Sequence, residues 1–192
     1  YATYLSGPYD QRDCLLSIHS GQGGTEAMDW AAMILRMYQR FCDIKNWKWE
    51  LIDQQDGEEA GIKSATLAIH GLQAFGFLRG EKGTHRLVRQ SPFNADSLRQ
   101  TSFAMVEVMP VLDDNAEIVI RPEDVEFEAF RSPGAGGQNV NKVSTAVRIR
   151  HLPTGIVVEC HSQRQQEQNR KLATQLLRAK LWEIEDAKRQ AE

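Results

Sequence analysis

An α+β fold in two small mixed α/β domains is predicted from three observations. Strand-like alternation and helix-like periodicity both occur, but without the strict strand–helix alternation of a parallel sheet. Two segments, 23–42 and 163–190, carry apolar residues at helical spacing. Asp113, Asp114 and Asn115 form a turn-rich break with strands expected on either side. The predicted domains are therefore 1–116 and 117–192.

The elements follow in order. CLLSIHSG reads as a strand ending in a glycine turn. GGTEAMDWAAMILRMYQRFC has apolar residues at 27, 30, 31, 34, 35 and 38, one face of an amphipathic helix. Thr25 is its expected N-cap, and Glu26 and Asp29 suit the positive end of its dipole. KWELIDQQ and KSATLAIHG read as strands separated by an acidic glycine turn. TSFAMVEVMP reads as a strand with Ala104, Val106 and Val108 on one face and Phe103, Met105 and Glu107 on the other. After the break, EIVI opens the second half. DVEFEAF alternates as a half-buried strand, with Val125, Phe127 and Ala129 on its apolar face. TAVRIRHL and GIVVEC flank PTG, a turn between antiparallel strands. The last segment lacks Gly and Pro and places Ala173, Leu177, Leu181 and Ile184 in one stripe, expected to pack on the sheet as a long C-terminal helix.

Composition narrows the function. Of 192 residues, 41% are hydrophobic and 26% charged, as in soluble globular proteins. A net charge of -3 argues against a uniformly basic nucleic-acid coat. Cys14, Cys42 and Cys160 are far apart and make no CxxC pair, which argues against a zinc ribbon or redox motif and for reduced thiols. No run approaches the ~18 apolar residues of a membrane span. YATYLSGPYD lacks the basic start and apolar core of a signal peptide, so a cytoplasmic location is expected. The charge is uneven: residues 131–180 hold 9 Lys and Arg against 2 Asp and Glu, a balance of +7. Such a field attracts phosphates, and its spread over loop, strands and helix suggests one shared surface.

That field surrounds RSPGAGGQNVNKV, residues 131–143. Glycines before a helix often cradle phosphate. Here, however, Gln138 and Asn139 stand where a Walker loop needs GK[ST], and NVNKVSTAV is too short for the helix of a dinucleotide fingerprint. An amide does not titrate near neutral pH, so Gln138 is a poor acid or base. Chemistry in this loop must come from placement and hydrogen bonding. Glycine permits close backbone approach, and a main-chain N–H aimed at a developing oxyanion stabilises a transition state.

GAGGQNVNKVSTAVRIRHLPTGIVVEC resembles the GGQ domain of bacterial-type peptide chain release factors, with Gly136, Gly137 and Gln138 at its signature tripeptide. Upstream, Ser91, Pro92 and Phe93 in THRLVRQSPFNADSLRQTSF match the SPF tripeptide of the release factor 2 branch, as opposed to the PxT type of the release factor 1 branch. SGQGGTEAMDWAAMILRMY and GEEAGIKSATLAIHG are also similar to that branch. The resemblance covers nearly the whole chain. The family has further N-terminal helices and a C-terminal segment, so the chain is expected to be a fragment lacking both.

The resemblance implies a stop-codon-recognition domain at 1–116 and a GGQ peptidyl-tRNA hydrolysis domain at 117–192. It implies that the protein enters the ribosomal A site on UAA or UGA and promotes hydrolysis of the peptidyl-tRNA ester, only within the peptidyl transferase centre. The catalytic roles fall on Gly136, Gly137 and Gln138: the main-chain N–H of Gln138 would bind the leaving or transition-state oxygen, and its side chain would select water. Codon recognition falls on Ser91, Pro92 and Phe93 for the second base, Gly23 and Glu26 for the first, and Thr101 and Gln100 near the third. Arg131, Lys142, Arg148 and Arg150 are candidate contacts to ribosomal RNA phosphates. Gln138 is a candidate for methylation by a glutamine methyltransferase. The implied partners are ribosomal RNA of both subunits, the mRNA stop codon and the P-site peptidyl-tRNA, with no membrane, metal or cofactor. Two departures bear on decoding: Gln100 stands where the family usually has histidine, and NADSLR lacks the glycine common there and has Leu98 where a basic residue is usual.

Two other readings stand beside this one. A codon-independent rescue hydrolase shares the GGQ domain but lacks the SPF domain and has a basic tail. A ribosome-binding module without catalysis would not need an intact GGQ. His85 and the tryptophans at 30, 47, 49 and 182 are expected to serve packing rather than RNA contact.

Overall fold

A computed structural model of the chain describes residues 4–113, 118–131 and 145–192. It is α+β, as expected, and divides into two compact units, Tyr1–Pro110 and Val111–Glu192. The expected boundary at 116/117 lies outside the described residues.

The first unit is a five-stranded antiparallel sheet with one long helix. Its elements are β1 (Cys14–Ser20), α1 (Gly24–Ile44), β2 (Lys48–Asp56), β3 (Ile62–His70), α2 (Ala74–Leu78), β4 (Gly83–Gln90) and β5 (Arg99–Pro110). A short 3-10 turn, Arg79–Glu81, precedes β4. The strand order is β2-β3-β1-β5-β4. In β1, Leu16 lies opposite Leu67 and Val108, and Ile18 opposite Ala65 and Val106. Directly opposed residues share a face, so these six side chains form one buried layer. α1 packs over that layer through Ala27, Ala31, Ile34, Leu35 and Tyr38, the stripe expected from periodicity save Trp30, which is only half-buried.

One local expectation needs correction here. The residue capping α1 is Gly23, not Thr25; Thr25 lies in the first turn and donates its hydroxyl to Glu59, 3.2 Å away. Gly23 has φ 129°, and a Cβ there would press on Ser102, so close approach rather than cap chemistry selects this residue. α2 and β4 carry no clear pattern in the sequence. The inward side chains of β4 include His85, whose Nε2 lies 2.8 Å from the Glu81 carbonyl, and whose own carbonyl accepts from Trp30 Nε1 at 3.0 Å. His85 and Trp30 thus have the structural role expected of them.

The β2–β3 turn is pressed against α1. Gly61 has φ 68°, and a Cβ there would collide with the Met28 carbonyl. Gly61→Ala combines left-handed strain with an immovable backbone neighbour and should cost about 2–3 kcal/mol. Urea denaturation checks this, and an unchanged midpoint would show that the turn yields freely.

The second unit has β6 (Val125–Phe130), β7 (Ala146–His151), β8 (Val157–Cys160) and α3 (Gln166–Ala191), with sheet order β6-β7-β8. Gly155 turns the chain between β7 and β8 with φ 72°, and its N–H donates to the His151 carbonyl at 2.8 Å. α3 packs on β7 and β8. Ala173, Leu177 and Leu181 are buried as expected, joined by Leu176 and Trp182, whereas Ile184 is 38% exposed. Residues 118–120, which open the second half, form no strand. β6 is not half-buried either: residues 126–129 are exposed on both faces, because α3 packs chiefly on β7 and β8. No helix among the described residues is long and apolar enough to cross a membrane.

Candidate nucleic-acid interface

The first unit gathers five of the residues singled out for decoding. Gly23, Glu26, Ser91, Phe93 and Gln100 line one open cleft of about 410 Å³, with Thr25, Glu59, Asn94 and Ala95. Its floor is a polar network. Glu26 lies in the first turn of α1, where the helix dipole favours negative charge, and is 4% exposed. Its carboxylate accepts from Arg89 Nε and, at 3.0 Å, from the Ser91 hydroxyl. Arg89 also donates to Asp29, one helical turn on. Hydrogen bonding to Glu26 and then Asp29, opposed by burial, raises the Arg89 guanidinium above its ordinary value, so it stays charged. Arg89 and Asp29 complete this network but drew no attention as site residues, because only the fold brings Arg89 to Glu26, 63 residues away.

The loop 91–98 is held by its own backbone. The Ser91 N–H donates to the Leu98 carbonyl at 3.0 Å, and the Phe93 N–H to the Ser91 hydroxyl at 3.2 Å. Asn94 Oδ1 accepts from the Asp96 N–H at 2.9 Å, and Ser97 takes φ 50°. Short side-chain bonds and one left-handed residue thus close the loop where glycine is missing. They leave Phe93 47% and Leu98 56% exposed, two apolar surfaces at the loop tip. Pro92 is exposed beside them.

Thr101 is not in this cleft. It pairs with Val88 across β4–β5, and as the neighbour of Gln100 on a strand it projects to the opposite face. Gln100 pairs with Arg89 and stays on the cleft side.

In the second unit, Gly136, Gly137, Gln138 and Lys142 lie outside the described residues. Arg131 is exposed at the end of β6. Arg148 and Arg150 sit on β7 opposite Glu128 and Glu126. Arg148 donates to Glu159 at 2.7 Å and to Glu128 at 3.3 Å, and its guanidinium lies 5.0 Å from the centre of the Phe130 ring. The Glu159 bond foremost raises it above its ordinary value. These arginines therefore belong to an acid-paired face rather than a bare positive one. Arg170, Lys171 and Arg178, on α3, line a separate hollow of about 530 Å³. Among the described residues, the single basic surface expected from charge counting is thus divided.

Comparison with known proteins places this geometry. A PCRF domain matches residues 1–106 and an RF-1 domain residues 114–192. The chain is 57% identical over 188 residues to peptide chain release factor 2 of Lactiplantibacillus plantarum, covering 98% of this chain and 50% of that protein. It is 59% identical over 188 residues to peptide chain release factor 2 of Chloroflexus aggregans, covering 98% and 51%. RF2 of Thermus thermophilus superposes with a TM-score of 0.93 at 46% identity, over 100% of this chain and 54% of that one. The chain spans about half the length of the curated relatives it matches. With a PCRF domain over more than half its length and an RF-1 domain following it, the chain belongs to the peptide chain release factor family.

Proposed function

We propose that the protein carrying this chain is a codon-dependent release factor, which reads UAA and UGA in the ribosomal A site and triggers hydrolysis of the P-site peptidyl-tRNA ester. The observation that carries the reading is the cleft, in which Gly23, Glu26, Ser91, Phe93 and Gln100 converge. Single-stranded bases are read on their edges by hydrogen bonds and on their faces by stacking. The Ser91 hydroxyl supports tolerance of both purines. While it donates to Glu26, its free lone pair can accept from the amine of adenine; rotated away, it donates to the carbonyl of guanine. Phe93 supplies an exposed apolar wall, and the amide of Gln100 can lie flat on a base.

In this reading residues 1–116 decode and 117–192 hydrolyse. Gly136 and Gly137 let the backbone approach the ester, and the main-chain N–H of Gln138 stabilises the developing oxyanion. Arg131, Lys142, Arg148 and Arg150 face ribosomal RNA, and a glutamine methyltransferase acts on Gln138. Thr101 would reach the third base from the opposite face of β5. A codon-independent rescue hydrolase would have no use for the cleft.

The test is peptide release by a full-length factor carrying this sequence, on ribosomes programmed with UAA, UGA, UAG or an empty A site. Release is expected on UAA and UGA alone. Exchanging Ser91-Pro92-Phe93 for a PxT tripeptide should weaken release on UGA, because the hydroxyl that tolerates guanine at the second base is lost, and move recognition toward UAG, as the contrast between the two branches implies. An unaltered codon profile in that variant would place specificity elsewhere, and release from an empty A site would favour the rescue reading.

A further inference from the structure

Asn169 is the most deeply buried polar side chain described in the second unit, 0% exposed on the first turn of α3. Its amide is fully used. Nδ2 donates to the carbonyls of Thr145 at 2.7 Å and Gln163 at 3.0 Å. Oδ1 accepts from the Gln163 N–H at 2.9 Å and from the Cys160 thiol at 3.4 Å. Two donors and two lone pairs thus meet four partners, the whole capacity of a primary amide.

Packing does not require this group. Asparagine is a poor helix former, and an amide buried without partners is strongly unfavourable. α3 already docks on the sheet through Ala173, Leu176, Leu177 and Leu181. What Asn169 adds is a tie between backbone segments far apart in sequence. One is the turn after β8, at Gln163. The other is Thr145, one residue beyond the last β6–β7 pair, Phe130↔Ala146, and so outside the ladder that holds β7.

We infer that Asn169 is a positioning residue for peptide release, which clamps the Thr145 carbonyl and so fixes where the chain bearing Gln138, seven residues upstream, meets the sheet. The inference rests on the release reading of Gln138. Asn169 touches no reacting atom; it acts through the main chain. Misplacement of a reacting group by about 1 Å lowers a rate by as much as a hundredfold.

The experiment uses the full-length factor and its Asn169→Ser and Asn169→Ala variants, in single-turnover release on UAA-programmed ribosomes. Saturating factor gives the rate constant; titration gives the half-saturating concentration. Hydrogen exchange follows the peptide spanning Thr145–Val147. The expected result is faster exchange there, with the rate constant down about tenfold to a hundredfold and half-saturation changed less than about twofold. A merely structural role would lower the melting temperature and the active fraction but leave the saturating rate constant alone. Should Asn169→Ala fail to fold, Asn169→Ser, whose shorter side chain cannot reach the Thr145 carbonyl as the amide does, decides the matter. A wild-type factor that releases normally beside an Asn169→Ser that does the same overturns this inference alone. A wild type that releases on no codon overturns the release reading, and this inference with it.

Discussion

Replacing Gln138 by proline should slow peptide release on UAA- or UGA-programmed ribosomes by at least about a hundredfold, while the factor still occupies the A site. A carboxamide neither gives up nor takes a proton near neutral pH, so general acid–base catalysis is closed to this residue. Its remaining means are hydrogen bonds from the main chain and the side chain. Proline removes the first, because its nitrogen carries no hydrogen. Loss of one donor aimed at a developing oxyanion typically lowers a rate by about a hundredfold to a thousandfold. Proline also restricts the residue before it, here Gly137, so a second variant is needed. Gln138→Ala discards the side chain and keeps the N–H, and should retain far more activity. Gly137→Ala keeps both groups but adds a Cβ and narrows the backbone conformations open to glycine, and should also release slowly with binding intact. The saturating single-turnover rate constants of the three variants separate these contributions. Equal rates for the proline and alanine variants at 138 would remove the main-chain amide from the mechanism.

Much of the fold was legible because burial writes a period into the sequence. The stripe from Ala27 to Tyr38, save the half-buried Trp30, and the alternation around Ala104, Val106 and Val108 are buried as expected. Legibility fails where polar groups do the packing. β4 alternates, but Arg89 is among its inward residues, so the strand has no apolar signature until Glu26 and Asp29 of α1 are set beside it. β6 reads as half-buried, yet a 4.7 Å cation–π contact from Arg170, rather than an apolar core, sits on Phe127. α2 is five residues long, too short for helical periodicity to show. Asn169 is invisible for the same reason as Arg89: a buried amide breaks a hydrophobic stripe and is read as surface. At the cleft, the residues on the loop and the helix start came together as the motifs suggested. Thr101 did not, because strand geometry sends neighbours to opposite faces, a constraint that a linear motif does not express.

Glu26→Ala should be the most damaging change in the first unit, lowering stability by about 3 kcal/mol and abolishing discrimination among codons. Glu26 is almost wholly buried and is the common acceptor for Arg89 and the Ser91 hydroxyl. Without it, Arg89 keeps Asp29 but loses its more buried partner, and the Ser91 hydroxyl loses the acceptor that orients it. The stability loss is set at the low end for a broken buried pair because the Arg89 side chain is 26% exposed, so water can recover part of its solvation. A double-mutant cycle with Arg89→Met isolates the pair. Removing both partners leaves no buried charge orphaned at Glu26 or Arg89, and only the part-exposed Asp29 without its arginine, so the double variant should be more stable than the sum of the single losses implies, by about 1–2 kcal/mol. Ser91→Ala gives the complementary measurement. It spares the ion pair and should leave stability within about 1 kcal/mol of the parent, while shifting the relative release rates on UAA and UGA. Strict additivity in the cycle would show that Arg89 and Glu26 are energetically independent despite their contact. Unchanged codon ratios in both Glu26→Ala and Ser91→Ala would leave the polar floor of the cleft a structural feature, with decoding carried by the exposed tip around Phe93 and Leu98.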